Sequence, residues 1–459
     1  MSKTYSIVGL GKLGASMAAA IASRGHNVIG VDVNRRAVDA VNAGQAPVQE
    51  TGLEELILAN RERLTATMSH DEAIAGSELT FVIVPTPSDE RGAFSLQYAA
   101  YAFREIGKAL ARKRGYHTVV LTSTVLPGAT RYGLLPILEA NSGRRAGADF
   151  GLCYSPEFIA LGSVIRDFLN PDFLLVGELD ARAGEHLAAC YAEIMRPVPP
   201  IKRMSLENAE LAKISVNAFV TMKITFANML AELCAAMPGG DVDAVSDAIG
   251  LDSRIGRKYL TGGLGFGGPC FPRDNVALGF VANALGAPDE LAVTTDRLNR
   301  TLADRILQQL RPRVPSDVTV AVLGLAYKPF SHVIEESQAI KIVKSFLEHG
   351  ARVLGYDPLA GQAANVELGG RALIMDNLCD CLRSADVVLV ATPDPEFRTL
   401  TPRDFRQGGR PVLVVDFWRI LSEQLSSVAG IDYLPYGRGG SDATVFKQLW
   451  SDIPTHYGL

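Results

Sequence analysis

Long apolar runs are missing from this chain: no stretch of its 459 residues approaches the ~20 consecutive apolar residues of a membrane span. Cysteine is sparse as well. The six stand apart, at 153, 190, 234, 270, 379 and 381, which excludes a disulfide framework at this length. Cys379 and Cys381 alone lie close, and this C-x-C lacks the second pair or nearby histidines of a metal site, so no metal is expected. Basic charge is not in excess either. Lys and Arg number 45 against 50 Asp and Glu, a net charge of −5, and no basic stretch marks a nucleic-acid surface. The first residues lack the basic, apolar, small-residue order of a secretory leader. These absences lead us to expect a reducing, cytoplasmic setting, with no nucleic-acid or membrane partner. The composition is that of a globular protein, and the length suits about three domains.

What is present is a dense loop, Gly262-Gly263-Leu264-Gly265-Phe266-Gly267-Gly268-Pro269-Cys270-Phe271-Pro272-Arg273-Asp274. Five glycines and two prolines surround a single cysteine, with a carboxylate four residues beyond it. Glycines let backbone crowd around a bound group, and prolines stiffen the same segment. A floppy linker would be rich in Gly and Ser, without Cys, Phe and Asp in one tight run. Two readings stand: a reactive thiol held out to a substrate, or a glycine-rich turn around a compact buried cysteine.

Residues Tyr5–Val8 read as a buried strand, followed by Gly9-Leu10-Gly11-Lys12-Leu13-Gly14, an Ala-rich helix over Ala15–Ser23, a strand over Asn27–Val31, and Asp32. A lone G-x-G-x-x-G says little. Strand, glycines, helix, strand and acid in this order, with Asp32 18 residues past Gly14, point to a dinucleotide. The glycines admit a pyrophosphate to the helix N-terminus, where amides and dipole favour an anion. Asp32 suits the adenosine ribose and repels a 2′-phosphate, so NAD is expected over NADP, with Arg35 and Arg36 slightly opposing that choice. Strands over Glu78–Val84, Thr118–Thr122 and Phe150–Tyr154 end where a ligand crevice forms in such sheets. They bring Thr86, Ser123, Thr124 and Ser155-Pro156-Glu157-Phe158 there. The alternative reading of these hydroxyls is turn chemistry before proline.

Arg196-Pro197-Val198-Pro199-Pro200 reads as a boundary. Ser205–Met237 then carries one long helical pattern, with Ser205 as its N-cap. Lys213 and Asn217, four apart, share a face among apolar neighbours, as a site or as a solvated stripe. Helices are expected over Asp241–Gly250 and Pro288–Leu310. At Val318 the strand-glycine-helix pattern restarts, with strands at Val318–Leu323, Arg352–Tyr356, Asp386–Ala391 and Val412–Val415. Without G-x-G-x-x-G this half implies no second NAD site, while Lys328 at a strand end can meet phosphate. The expected fold is α/β: two Rossmann-like doubly wound sheet domains, 1–200 and 311–459, joined by a central helical domain, 201–310, with one long helix.

The glycine fingerprint, Ser123-Thr124-Val125, Ser155-Pro156-Glu157-Phe158, Lys213-x-x-x-Asn217, the cysteine loop and Gly324-Leu325-Ala326-Tyr327-Lys328 occur in this order over nearly the whole chain. The constellation resembles the UDP-glucose/GDP-mannose dehydrogenases, with the cysteine loop its most specific part. The resemblance implies NAD-dependent, four-electron oxidation of a nucleotide-sugar C6 alcohol to the acid through a Cys270 thiohemiacetal and thioester. It implies NAD on Gly9, Gly11, Lys12, Leu13, Gly14, Asp32, Thr86, Ser123 and Thr124 of the 1–200 domain. Lys213 and Asn217 would stabilise an oxyanion, and Asp274, Thr124 and Glu157 would surround the water and proton transfers. Phe158, Tyr259, Leu260 and Gly267 would line the sugar pocket. Arg254, from this or a neighbouring subunit, and Lys328 would meet sugar and phosphates, with 311–459 holding the nucleotide sugar and the central helices forming a homodimer.

The chain departs from the family pattern after Lys328, where the family reads N-T-D-D-V-R-E-S and this chain Phe330-Ser331-His332-Val333-Ile334-Glu335-Glu336-Ser337, and at two further positions. Glu335 stands at the family's arginine, Leu161 at a usually polar position, and Arg273 at a lysine. Phe271 argues against the N-acetylated-sugar members, whose loop reads H-C-I, leaving UDP-glucose ahead of GDP-mannose or another nucleotide hexose. Two rivals remain, a hydroxyacid-type dehydrogenase and a non-catalytic nucleotide-sugar binder, and NADH counted per sugar separates the three readings.

Overall fold

The computed structural model describes residues 2–159, 162–314 and 318–457; Leu161 lies outside them. The first sheet has eight strands: β1 (Thr4–Val8), β2 (Asn27–Val31), β3 (Leu64–Thr67), β4 (Leu79–Val82), β5 (Thr118–Leu121), β6 (Gly151–Tyr154), β7 (Leu174–Glu178) and β8 (Ile201–Ser205). Their order is 3-2-1-4-5-6-7-8, parallel except where β6 meets β7. The second sheet has six parallel strands: β9 (Thr319–Leu323), β10 (Arg352–Tyr356), β11 (Leu373–Ile374), β12 (Val387–Val390), β13 (Val412–Asp416) and β14 (Ile431–Pro435), ordered 11-10-9-12-13-14.

Central strands are near-continuous apolar runs because helices cover both faces of each sheet. Every residue of β4, β5, β6, β12 and β13 is buried. Period-two alternation divides them between two cores. In the first sheet Tyr5, Ile7, Phe81 and Val120 pack on the side of helix Lys12–Ser23. Val8, Val82, Val119 and Leu121 pack with Phe103 and Ile106 of helix Gln97–Arg112 on the other. The chain gathers into two compact units, residues 1–216 with 280–287, and residues 217–279 with 288–459.

Helix Leu206–Ala236 is long and apolar enough, by length and composition, to cross a membrane, although no uninterrupted apolar run spans it. Its polar residues explain the difference. Glu210, Lys213, Asn217, Thr221 and Asn228 fall on one stripe at 3.6 residues per turn, and all five are buried. Phe219, Phe226, Met229 and Leu233 form the opposite stripe and are exposed. Ser205 Oγ accepts from Asn208 N at 3.3 Å, as the expected cap does.

The expected helix over Pro288–Leu310 is instead two, Glu290–Arg300 and Leu302–Leu310. At the break Thr301 Oγ1 bonds back to the Arg297 carbonyl, 3.0 Å, and Arg305 donates to the Leu298 carbonyl, 3.2 Å. Such side-chain bonds compete with the helical ladder and bend it. Strands β3, β7, β8, β11 and β14 had no counterpart in the sequence reading. The Pro-rich stretch before β8 is a crossover within the first sheet, since β8 pairs with β7.

Candidate active site

In the first unit Gly9 follows β1 directly, with φ +101°. A Cβ there would stand 2.0 Å from the Ile83 carbonyl oxygen, and one on Gly14 would stand 1.8 Å from the Gly9 oxygen. Both positions exclude any side chain. Gly11 differs: its φ is −72°, and nothing lies within 4 Å of a Cβ. It precedes helix Lys12–Ser23, whose first turn has neither a side-chain cap nor an acidic residue. The amides at Lys12, Leu13 and Gly14 therefore fit a pyrophosphate. Asp32 Oδ2 accepts from Leu10 N and Oδ1 from Asn34 N, both at 2.7 Å, so the carboxylate also braces the glycine turn.

Ser123 Oγ donates to Val84 O at 2.7 Å and accepts from Val84 N at 2.8 Å. Thr86 Oγ1 donates to Thr124 O at 2.7 Å. These hydroxyls tie the ends of β4 and β5 together, and the Thr124 side chain beside them is half-buried. Beyond β6, Glu157 is buried, and its Oε1 finds no hydrogen-bond partner among the described residues. Burial pushes its carboxyl up to about 8, while the Lys213 charge pulls it down. Lys213 Nζ donates to the Glu157 carbonyl at 2.7 Å and lies 4.6 Å from the centre of the Phe158 ring.

In the second unit Asn217 Nδ2 donates to Asp274 Oδ2 at 2.6 Å, and Asp274 is 1% exposed. Arg273 Nε stands 3.4 Å from the other carboxylate oxygen. The second half of the dense loop is the start of a helix, Phe271–Ala284, closed by Asp274 N on the Cys270 carbonyl at 2.8 Å. Pro272 lies in its first turn, where its missing N–H is harmless. Cys270 therefore sits at a helix N-terminus, where an anion is favoured. Of the six cysteines it alone is exposed. Burial pushes the Cys190 and Cys381 thiols up to about 12, which leaves them inert. The reading of Cys270 as a compact buried residue is thereby excluded.

Gly268 has φ +80° and donates to the Glu335 carbonyl at 2.9 Å. A Cβ on it would stand 2.6 Å from the Tyr327 ring, and one on Gly267 would stand 2.5 Å from Glu336 O. The Glu335 side chain is exposed; its backbone does the holding. Lys328 Nζ lies 5.6 Å from the centre of the Tyr327 ring. Tyr259, with φ +65°, is exposed and meets Phe271 edge-on at 6.3 Å, whereas Leu260 is buried. Arg254 is exposed and paired with Asp252 at 2.6 Å. The second sheet repeats the bracing of the first. Gly324 N donates to Tyr356 O at 2.8 Å, as Gly9 N does to Val31 O at 2.7 Å. Asp357 Oδ2 accepts from Leu325 N and Ala326 N.

Sequence reasoning missed the residues that hold these parts. Buried Glu210 accepts from Gly128 N at 2.5 Å and Thr130 N at 2.8 Å, fixing the segment after Thr124. Arg419 uses all five N–H groups: two on Asp243, and one each on the carbonyls of Gly262, Phe417 and Tyr436. The usable signal was periodicity, since Glu210 and Asn228 continue the Lys213–Asn217 stripe.

A doubly wound sheet with an open glycine turn at an uncapped helix, in a chain that also presents a thiol at a helix start, has the equipment of a nicotinamide-dependent oxidoreductase. Residues 3–195 match the NAD-binding domain, 207–301 the central domain and 321–423 the UDP-binding domain of one family. The chain belongs to the UDP-glucose/GDP-mannose dehydrogenase family, whose members are NAD-dependent oxidoreductases. It is 39% identical to a UDP-glucose 6-dehydrogenase of Haloferax volcanii, over 93% of this chain and 98% of that one. It is 32% identical to a GDP-mannose 6-dehydrogenase of Azotobacter vinelandii, over 90% and 96%. Its fold superposes on a UDP-glucose dehydrogenase of Pyrobaculum islandicum with TM-score 0.85, at 32% identity, covering 95% and 98% of the two chains.

Proposed function

We propose that the protein oxidises the C6 alcohol of UDP-glucose to the carboxylic acid, in two oxidations with a covalent stage on Cys270. The observation that carries this reading is the exposed Cys270 thiol, one turn before buried Asp274. The similarity to a UDP-glucose 6-dehydrogenase at 39% identity favours UDP-glucose over GDP-mannose. Residues Gly9–Gly14 and Asp32 would hold NAD, which when bound supplies the hydride acceptor for both oxidations.

The alcohol first loses a hydride and a proton to give the aldehyde. The Cys270 thiolate adds to the aldehyde carbon, a C–S bond forms, and the oxygen takes up a proton. The thiohemiacetal then loses its carbon-bound hydride and its hydroxyl proton and becomes a thioester. Water adds to that carbonyl, the C–S bond breaks, and the acid and the thiol are released. Lys213 and Asn217 would steady the negative oxygen at the addition steps. Glu157, with its carboxyl near 8, gains or loses a proton close to neutral pH, as a general acid–base requires. Lys328 would meet the diphosphate.

Two copies would pair through the exposed apolar stripe Phe219, Phe226, Met229 and Leu233, a face that a soluble monomer rarely leaves open. The thiol needs a reducing compartment, consistent with a cytoplasmic setting. The test is NADH released per UDP-glucose consumed. Two supports the proposal, one favours a simple alcohol dehydrogenase, and none favours a binder.

A further inference from the structure

From Gly262 to Phe266 the thiol loop lies in neither helix nor strand and bends at Gly263 and Leu264. Its backbone hydrogen bonds go to side chains. Asn228, on helix Leu206–Ala236, accepts from Gly263 N at 2.9 Å and donates to Leu264 O at 3.4 Å. Asn299, on helix Glu290–Arg300, donates to Phe266 O at 2.9 Å. Gln338, at the start of helix Gln338–Glu348, donates to the same oxygen at 3.4 Å. The three carboxamides are 4%, 3% and 4% exposed. Each of the three donates to a carbonyl of the loop, which offsets the cost of burying its N–H groups, while Asn299 Oδ1 and Gln338 Oε1 find no hydrogen-bond partner among the described residues. The Leu264 and Phe266 side chains are buried as well. From Phe266 to Cys270 only Gly267, Gly268 and Pro269 intervene, and both glycines are packed against the segment Tyr327–Glu336. Little slack separates the clamp from the sulfur.

We propose that Asn228, Asn299 and Gln338 are positioning residues that set where Cys270 stands for attack on the aldehyde. The inference rests on the reading of Cys270 as the nucleophile. A misplacement of about 1 Å at a reacting atom slows a step by up to ~10²-fold, so the covalent step is the sensitive one. The first hydride loss does not use the sulfur.

The test uses Asn299→Asp, which keeps the shape and replaces the donor to Phe266 O by an oxygen. With UDP-glucose, NAD and hydroxylamine as aldehyde trap, the variant is expected to release NADH while acid formation falls ~10-fold or more. NADH per sugar moves from two toward one, trapped aldehyde accounts for the difference, and the Kd for NAD is unchanged. A purely scaffolding residue would lower the active fraction and leave two NADH per sugar, and that result overturns the inference. Cys270→Ser is run beside it. If Cys270→Ser itself makes acid with two NADH per sugar, the nucleophile reading fails. If it accumulates aldehyde while Asn299→Asp does not, only the positioning inference fails. Should Asn299→Asp not fold, Asn228→Asp and Gln338→Glu carry the same comparison.

Discussion

Glu157 offers a test that needs no substrate. Burial raises its carboxyl from an ordinary 4.5 to about 8, so between those values the folded protein holds a proton that the unfolded chain has released. The folded state then binds more protons than the unfolded one, and stability falls as pH rises through this window. Each unit is about 1.4 kcal/mol, which gives about 3 kcal/mol by pH 7. Glu157→Gln imitates the protonated form and removes the titration. Wild type and variant should unfold at similar temperatures near pH 5. The variant should gain steadily above that, by about 5 °C or more at pH 7 to 8. Thermal unfolding at half-unit intervals from pH 5 to 8.5 measures the gap. A gap that does not change with pH, or one that favours the wild type at high pH, would refute the argument that burial governs this carboxyl. Activity should move the other way, since the amide cannot pass a proton.

Gly11→Ala meets nothing within 4 Å in the protein and keeps an allowed φ, so its unfolding temperature should match wild type while its Kd for NAD rises ~10-fold or more. Equal NAD affinity by calorimetry would remove Gly11 from the cofactor site. Arg419→Lys cannot supply the five-donor fork and leaves Asp243 and three carbonyls under-bonded. It should cost about 3 kcal/mol or more in urea unfolding followed by tryptophan fluorescence. A loss under ~1 kcal/mol would show that the fork is dispensable.

Local signals carried much of the architecture. The spacing Gly9, Gly11, Gly14 and Asp32 was readable because a tight turn, a close approach and a strand end each demand one residue type at a fixed distance. Cys270 was readable because glycine, proline and cysteine rarely crowd together without a reason. Strands β7 and β8 were not, because β7 runs antiparallel to β6 and β8 is a half-exposed edge strand with Lys and Arg in it. The clamps on the thiol loop were hidden for another reason. Asn299, Gln338 and Arg419 each look like a solvated polar residue in its own segment, and Asn228 shows only as one more member of the Lys213–Asn217 stripe. Only the tertiary fold brings them to the loop, from up to 157 residues away in sequence. The split at Thr301 was equally illegible, since it depends on Arg305 turning back on the Leu298 carbonyl.

The central claim is that the sugar is carried on Cys270 during its oxidation. Acid-quenching the enzyme during turnover of UDP-glucose and NAD, then weighing the peptide that contains Cys270, tests it most directly. The account expects a UDP-glucuronyl thioester on that peptide, absent without NAD and absent in Cys270→Ser. A chase by further hydrolysis should return the mass to that of the thiol at the rate of acid formation. An unmodified Cys270 throughout turnover, in an enzyme that still releases two NADH per sugar, would contradict it.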